Sequence, residues 1–164
     1  MFYLDLFRAL EQEKVRYLLV GGLALNVHGV ERATMDVDLM LGLDAENLQA
    51  FLRVAERLKL LPVLPVPLAD FADPEKRQNW IREKHLLAFA LRSPDAAAPT
   101  LDILVQPKVE FSAAWDRRIE KKLPETTLCL ATIDDLIALK TDTGRQSDAS
   151  DVEALLRLKT LKLD

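Results

Sequence analysis

VGGLALNVHGVERATMDVDLML, residues 20–41, is the most informative stretch of this 164-residue chain. It starts at the end of an apolar run, passes through the paired glycines Gly21 and Gly22 into a helix-compatible segment, and ends in alternating acidic and apolar residues. Glycines between a strand and a helix let backbone N–H groups approach a phosphate closely. The order strand, glycine turn, helix and acidic strand therefore predicts a phosphate cradle beside an acidic site.

The acidic end of this stretch carries Asp36 and Asp38, two residues apart. Side chains at this spacing on a strand share one face, and two carboxylates there repel each other unless a positive group lies between them. A divalent cation resolves the repulsion, and Mg²⁺ prefers one or two carboxylates together with substrate phosphates. The structural alternative is an exposed strand edge with two aspartates, because Asp-x-Asp alone is a common pattern.

A third carboxylate, Asp102, interrupts the apolar predicted strand 101–105. A buried charge must be paired or must bind a metal. If this strand lies next to the one that carries Asp36 and Asp38, three carboxylates converge, and such a triad can hold two metal ions. Asp102 could also activate an attacking hydroxyl. We therefore predict Asp36, Asp38 and Asp102 as catalytic and metal-binding residues.

The rest of the chain alternates between helical and strand patterns, which predicts a mixed α+β class with one sheet flanked by helices. The predicted helices are 4–13, 23–28, 45–59, 74–84, 133–141 and 151–158, the last starting from Ser147 or Ser150. The predicted strands are 17–20, 36–41, 86–91, 101–105, 119–123 and 127–130, with 86–91 and 101–105 paired as a hairpin. The proline-rich segment 61–71 is predicted to be an extended loop.

Composition narrows the classes of function. The net charge of −4 argues against a dedicated nucleic-acid binder, so tRNA is a less favoured partner. The single cysteine, Cys129, cannot form an internal disulfide, which is typical of a reducing compartment. No window approaches the roughly 20 apolar residues that cross a bilayer. We therefore expect a cytoplasmic protein without a membrane partner.

The motif in residues 20–41 resembles the DNA-polymerase-β-like nucleotidyltransferase superfamily, and within it the small bacterial AbiEii-like branch, which includes toxin-type nucleotidyltransferases. The family pattern falls here on Gly21, Gly22, Asp36, Asp38 and Asp102. The resemblance implies a palm-like mixed sheet and transfer of a nucleotidyl group from an NTP such as ATP to an acceptor hydroxyl, with Mg²⁺ or Mn²⁺. Many members have serine where this chain has Gly22, so backbone contacts would have to serve here.

The resemblance also covers Arg32 and Thr34, which lie between the glycines and the acidic pair. Arg32 is placed for a phosphate or for pairing with Asp36, whereas His28 is interpreted as a packed or capping residue. The resemblance further implies that Lys140, at the end of a helical stripe, contacts nucleotide phosphates. The nucleotide-binding residues predicted in this way are Gly21, Gly22, Arg32, Thr34 and Lys140. A closing motif of Arg145, Asp148 and Asp151 completes the resemblance, with a surface salt-bridge network as its structural alternative.

These observations predict a nucleotidyltransferase core in residues 1–131 and a helical segment in residues 132–164 packed on it as one compact unit. The acceptor stays open between a protein, tRNA and a small molecule such as an aminoglycoside. The resemblance suggests a cognate toxin or antitoxin protein as a partner. Two alternatives remain: a catalytically silent binding protein that acts through such a partner, and a purely structural domain.

Overall fold

A computed structural model describes residues 2–163, so Met1 and Asp164, the outer ends of the two predicted units, lie outside the described residues. Within residues 2–163 the chain forms one mixed sheet of seven strands in the order β3-β4-β5-β2-β1-β7-β6. The strands are β1 Tyr17–Val20, β2 Val37–Leu41, β3 Leu61–Pro62, β4 Ala88–Arg92, β5 Leu101–Leu104, β6 Ile119–Leu123 and β7 Thr126–Leu130. The helices are α1 Phe2–Gln12, α2 Gly21–His28, α3 Ala45–Arg57, α4 Pro74–Lys84, α5 Phe111–Asp116, α6 Ile133–Lys140 and α7 Gln146–Leu163, with a 3₁₀ helix at Leu68–Ala72. The predicted mixed α+β class is confirmed.

The centre of the sheet is built from the strands that the sequence marks as most apolar. All four residues of β1 are buried, as a strand covered on both faces requires. β1 pairs antiparallel with β2 and parallel with β7, and β2 pairs parallel with β5. The strand of Asp38 and the strand of Asp102 are therefore direct neighbours, which is the condition under which the three carboxylates converge.

An aromatic cluster fills the core beside β4. Phe71 stacks on Phe89 with ring centroids 4.8 Å apart, Phe89 stacks on Trp80 at 5.2 Å, and Phe51 meets Phe71 edge to face at 6.1 Å. Such pairs contribute about 0.5–1.5 kcal/mol each beyond the burial of their area. The cluster joins α3, α4 and the 3₁₀ helix to the sheet.

Side-chain caps start three of the helices. The carboxylate of Asp44 accepts a hydrogen bond from Asn47 N at the start of α3, and Thr132 caps α6 through Asp135 N. Asp73 caps α4, with proline at its first position. The predicted pairing of the strands around 86–91 and 101–105 is also confirmed, since β4 and β5 are antiparallel neighbours.

The prediction of an extended loop over residues 61–71 is wrong in part. Leu61–Pro62 adds the edge strand β3 to the sheet, and Leu68–Ala72 turns into a 3₁₀ helix. The cause is tertiary: Phe71 is fully buried in the aromatic cluster, and its carbonyl accepts a hydrogen bond from the Arg77 guanidinium at 2.6 Å. Proline content alone carries no sign of either contact.

Several boundaries also differ from the prediction. Helix α7 begins at Gln146 and runs to Leu163, longer than the predicted 151–158, and α5 was not predicted at all. Helix α2 starts directly at Gly21, so the expected glycine turn and the helix start coincide. Strand β2 begins at Val37, which leaves Asp36 just before the strand. None of the helices within residues 2–163 combines the length and hydrophobicity that a membrane span requires.

Candidate active site

Four residues form one row across the middle of the sheet. Ala90 of β4 lies opposite Asp102 of β5, Asp102 lies opposite Asp38 of β2, and Asp38 lies opposite Val20 of β1. Side chains opposite each other on neighbouring strands point to the same face. Asp38 and Asp102 are therefore side by side, and both are half-buried.

The two carboxylates perturb each other. Burial and then the charge of Asp102 raise the pKa of Asp38 to about 6, and the nearby Lys140 ammonium offsets only part of this rise. Burial and the charge of Asp36 raise the pKa of Asp102 above its ordinary value, although a hydrogen bond with Asp38 lowers it. An acidic pair held in this state favours a proton or a cation between its members.

Asp36 completes the acidic group from the edge of the strand. Its side chain is exposed, and its Oδ1 accepts a hydrogen bond from the Thr100 backbone at 3.2 Å. The adjacent backbone hydrogen bond from Val37 N to Thr100 O, 3.0 Å long, fixes this corner of β2 against β5. The charge of Asp36 raises the pKa of both Asp38 and Asp102, so all three predicted carboxylates are electrostatically coupled.

Gly21 is required by this arrangement. Its φ of +70° is in the left-handed region, which favours glycine. A Cβ built at this residue would overlap the carboxylate of Asp38 and come within 2.8 Å of the Asp38 Cβ. The first residue of α2 therefore brings its backbone directly against the acidic row, where a side chain has no room.

Gly22 leaves room for Thr34 and Arg32, two of the residues predicted to bind the nucleotide. A Cβ there would lie 2.8 Å from Thr34 Oγ1 and 3.1 Å from an Arg32 guanidinium nitrogen. The Thr34 hydroxyl is buried and has no hydrogen-bond partner among the described residues. An orphaned buried hydroxyl is costly. The start of α2, Thr34 and Arg32 thus surround one small region next to Gly22.

Arg32 and Lys140 are held together by a residue of α7. Asp151 is buried, and its carboxylate accepts from Arg32 at 2.6 Å and from Lys140 at 2.8 Å. Arg32 thus pairs with Asp151 and not with Asp36, the partner considered from the sequence. Lys140 also contacts Asp148 at 3.2 Å.

Asp148 joins the closing motif to the same network. Burial alone would raise the pKa of Asp148, but hydrogen bonds from Thr143 and Lys140 and the charges of Lys140 and Arg145 outweigh this effect, so the pKa is lowered. Arg145 donates to it at 2.9 Å. Arg145, Asp148 and Asp151 thus belong to a network of salt bridges in which both aspartates are buried, and this network reaches the site through Lys140. Thr143 was missed, because no periodicity connects it with Asp148.

Two further features do not include the carboxylates of Asp36, Asp38 or Asp102. An open cavity of about 400 Å³ lies between α6 and α7, and Lys140, Thr143 and Arg145 contribute to its lining. His28 lies outside the site: it is buried, and its Nε2 is 2.8 Å from Ala131 O, which agrees with its interpretation as a packed residue. Burial lowers the pKa of His28.

The donor chemistry of the acidic group suits a hard divalent cation, because carboxylate oxygens are the ligands that Mg²⁺ prefers. As the side chains stand, no three His, Cys, Asp or Glu residues within 2–163 are grouped so as to hold a metal ion. Binding would therefore need the carboxylates to turn toward one ion. The raised pKa values of Asp38 and Asp102 give a reason for that movement, since a cation would remove their repulsion.

Comparison with solved structures supports the fold. A lincosamide antibiotic adenylyltransferase, LnuA, bound to lincomycin, superposes with a TM-score of 0.55 at 17% identity, covering 96% of this chain and 94% of that chain. ANT(2")-Ia in complex with adenylyl-2"-tobramycin gives a TM-score of 0.57 at 12% identity, covering 99% and 93%. An antigenic nucleotidyltransferase-like protein from Paracoccidioides brasiliensis gives 0.54 at 16% identity, covering 93% and 71%.

Sequence comparison gives the family. A search of curated protein sequences yields no significant match. The profile of the family described as nucleotidyltransferase of unknown function, DUF6036, matches residues 4–164, which is almost the whole chain. The acidic row, the glycine-lined start of α2 and the mixed sheet all lie within that match. The chain therefore belongs to the DUF6036 family of nucleotidyltransferases.

Proposed function

We propose that this protein transfers a nucleotidyl group from an NTP, such as ATP, to an acceptor hydroxyl, with Asp36, Asp38 and Asp102 as its acidic centre. The observation that carries the proposal is the close packing of the Gly21 backbone against Asp38, which in turn lies beside Asp102. An anion-binding helix start and an acidic pair in contact suit a phosphate that arrives with a cation. A structural domain would have little reason to keep such a pair.

In this proposal Asp102 receives the proton of the acceptor. The hydroxyl oxygen forms a bond to the α-phosphorus, the bond between that phosphorus and the bridging oxygen breaks, and pyrophosphate leaves. The hydroxyl proton passes to the Asp102 carboxylate, which lies beside Asp38 on the same face of the sheet. The half-buried position of Asp102 limits the access of competing water.

Asp36, Asp38 and Asp102 would hold Mg²⁺ or Mn²⁺. The bound ion would neutralise charge on the phosphates and on the three carboxylates. Asp38 has the central role, because it lies between Gly21 on one side and Asp102 on the other. In the protein alone, a hydrogen bond joins the side chains of Asp38 and Asp102.

The nucleotide phosphates would bind at the start of α2 beside Gly21 and Gly22. The unpartnered Thr34 hydroxyl supplies one donor there, and the Arg32 guanidinium lies in the same region. Lys140 would add charge from α6, and the exposed Arg145 side chain, 66% accessible, is a weaker candidate. Arg32 and Lys140 both pair with Asp151 in the protein alone, so a phosphate would have to share or replace that partner.

Labelled ATP tests the reaction class directly. The protein is incubated with Mg²⁺, a mixture of hydroxyl acceptors and ATP labelled at either the α- or the γ-phosphate. Nucleotidyl transfer places the α label on a new product, and Asp102→Asn should reduce that product at least 100-fold. Appearance of the γ label on the product, or an unchanged rate in Asp102→Asn, would exclude the proposed chemistry.

The AbiEii-like branch and a toxin–antitoxin role also remain proposals, which rest on the motif in residues 20–41. A neighbouring gene for a small helical partner would support them.

A silent binding protein is the competing proposal, favoured by the engagement of Arg32 and Lys140 with Asp151. In that case the protein would bind a partner but leave both labels on ATP. We also propose that residues 1–131 form the transferase core and 132–164 its helical cover.

A further inference from the structure

A groove with apolar walls lies along β4, at the end of the acidic row. It has a volume of about 250 Å³ and is lined by segment 63–65, Leu86 and the β4 residues Ala88, Phe89 and Ala90. None of these residues carries a charged side chain. Val63 N donates to Ala90 O at 2.9 Å, so the proline-rich wall is tied to the strand.

The sheet register connects this groove with the acidic group. Ala90 is the cross-strand partner of Asp102, and residues in such a pair have their Cβ atoms about 4.5–5.5 Å apart on the same face. Ala88 shares that face because it lies two residues from Ala90. Both alanines are half-buried, whereas Phe89 between them is buried in the core. Because alanine side chains are small, β4 adds little bulk to the face that it shares with Asp102.

We infer that this groove binds the acceptor, and that the acceptor is a small molecule with an uncharged apolar body and a hydroxyl group directed toward Asp102. The inference rests on the proposed nucleotidyl transfer and names the substrate class for that same site. In the transfer, the acceptor oxygen bonds to the α-phosphorus, pyrophosphate leaves, and the hydroxyl proton goes to Asp102.

The chemistry of the groove argues against two other acceptors. A polycationic aminoglycoside is recognised by carboxylates, and the groove walls supply none. A nucleic acid is held mainly through phosphate contacts with Lys and Arg, which are also missing from the walls. An apolar body, in contrast, gains about 25 cal/mol for each Å² that it buries. The exposed apolar side chains of Leu61 and Val63 extend that surface at the rim.

Two variants place a charge in the groove, and one matched variant places it elsewhere. Val63→Glu changes a wall residue that is 51% exposed, so the fold should tolerate it. Ala88→Glu places the same charge on the strand itself. Ala45→Glu, at the exposed first residue of α3, is the control. The probe is 2-phenylethanol, an uncharged alcohol with an apolar body, and tobramycin serves as the polycationic comparison.

Binding of the probe is measured by saturation-transfer NMR, and its conversion is followed with α-labelled ATP and Mg²⁺. We expect 2-phenylethanol to bind and accept the label with the wild type and Ala45→Glu, and both signals to fall at least tenfold in Val63→Glu and Ala88→Glu. Tobramycin should not displace the probe. Equal signals in all four proteins, no probe binding to the wild type, or label on tobramycin alone would overturn the inference.

The same samples separate failure of the inference from failure of the proposed function. Thermal unfolding of the wild type with ATP and Mg²⁺ reports on the nucleotide site. A wild-type shift without probe binding would overturn the acceptor groove and leave nucleotidyl transfer intact. Absence of that shift would overturn the proposed function, and the inference with it.

Discussion

At the scale of single residues, the acidic site depends on backbone geometry as much as on carboxylates. Gly21 brings the start of α2 into contact with Asp38, and the absence of a Cβ makes that contact possible. Asp38 and Asp102 are then held side by side by strand register. Their raised pKa values follow from burial and mutual repulsion. A cation or a proton between the two carboxylates would relieve this repulsion.

Substitution of Gly21 tests this contact, and Gly144 provides the matched control. Both have positive φ values, +70° and +79°, but a Cβ at Gly144 would meet nothing within 4 Å. The left-handed backbone costs either alanine about 1–2 kcal/mol. Gly21→Ala should lose a further 1–3 kcal/mol, roughly the cost of overpacking, and should also lose nucleotide binding. Urea unfolding measures the difference, and equal losses in the two variants would contradict the proposed contact.

His28 gives a prediction about pH. Its pKa is lowered in the folded protein, so the unfolded chain binds more protons below about pH 6.5. This contribution to stability is present above pH 6.5 and is lost as the pH falls. Unfolding of the wild type and of His28→Gln between pH 5 and 8 should differ in slope by up to about 1.4 kcal/mol per pH unit.

At the scale of elements, helix α7 is connected to the site through charge. Asp151 accepts hydrogen bonds from Arg32, which lies between α2 and β2, and from Lys140 at the end of α6. Asp148, one turn earlier, binds Lys140 and Arg145. Arg32 and Lys140, the two basic side chains that we propose as phosphate ligands, are thus positioned by a helix outside the central sheet.

Removal of the Asp151 charge should weaken that connection. Asp151→Asn leaves Lys140, only 13% exposed, with one fewer acidic partner, and we expect a loss of about 1–3 kcal/mol, the usual cost of an unsatisfied buried group. Asp134→Asn removes a pair with Lys159 whose acid is 70% exposed, so it should cost less than about 1 kcal/mol. Equal effects in urea unfolding would show that Asp151 contributes no more than a surface pair.

At the scale of the whole molecule, the sequence predicted the central strands and the starts of α3 and α6 because their signals are local. Tyr17–Val20 is a short apolar run before glycines, and Asp44 and Thr132 are standard caps. The 3₁₀ helix at Leu68–Ala72 was not predicted, because it depends on burial of Phe71 against distant aromatic residues. Helix α5 is six residues long, too short to show a helical period.

In the candidate site too, features with a local sequence signal could be predicted, and features that depend on distant contacts could not. The proximity of Asp38 and Asp102 could be expected from the acidic residues in apolar strands, and their pairing in register agrees with that expectation. The partners of Arg32 and Lys140 could not be expected from the sequence, because Asp151 is separated from Arg32 by more than a hundred residues. No local pattern carries information on a contact of that kind. The groove beside Ala90 was equally invisible, since it requires the order of the strands.

In the proposed function, Asp36 and Asp38 bind a metal ion together with a nucleotide. Thermal unfolding with ATP, with and without Mg²⁺, tests it in the wild type, in Asp36→Asn/Asp38→Asn and in the charge-matched control Asp116→Asn/Asp134→Asn. At a hundredfold excess of ligand over its dissociation constant, binding adds about 2.7 kcal/mol of stability. We predict a Mg²⁺-dependent shift of that order in the wild type and the control, and none in Asp36→Asn/Asp38→Asn. An equal shift in all three proteins would contradict metal binding by Asp36 and Asp38.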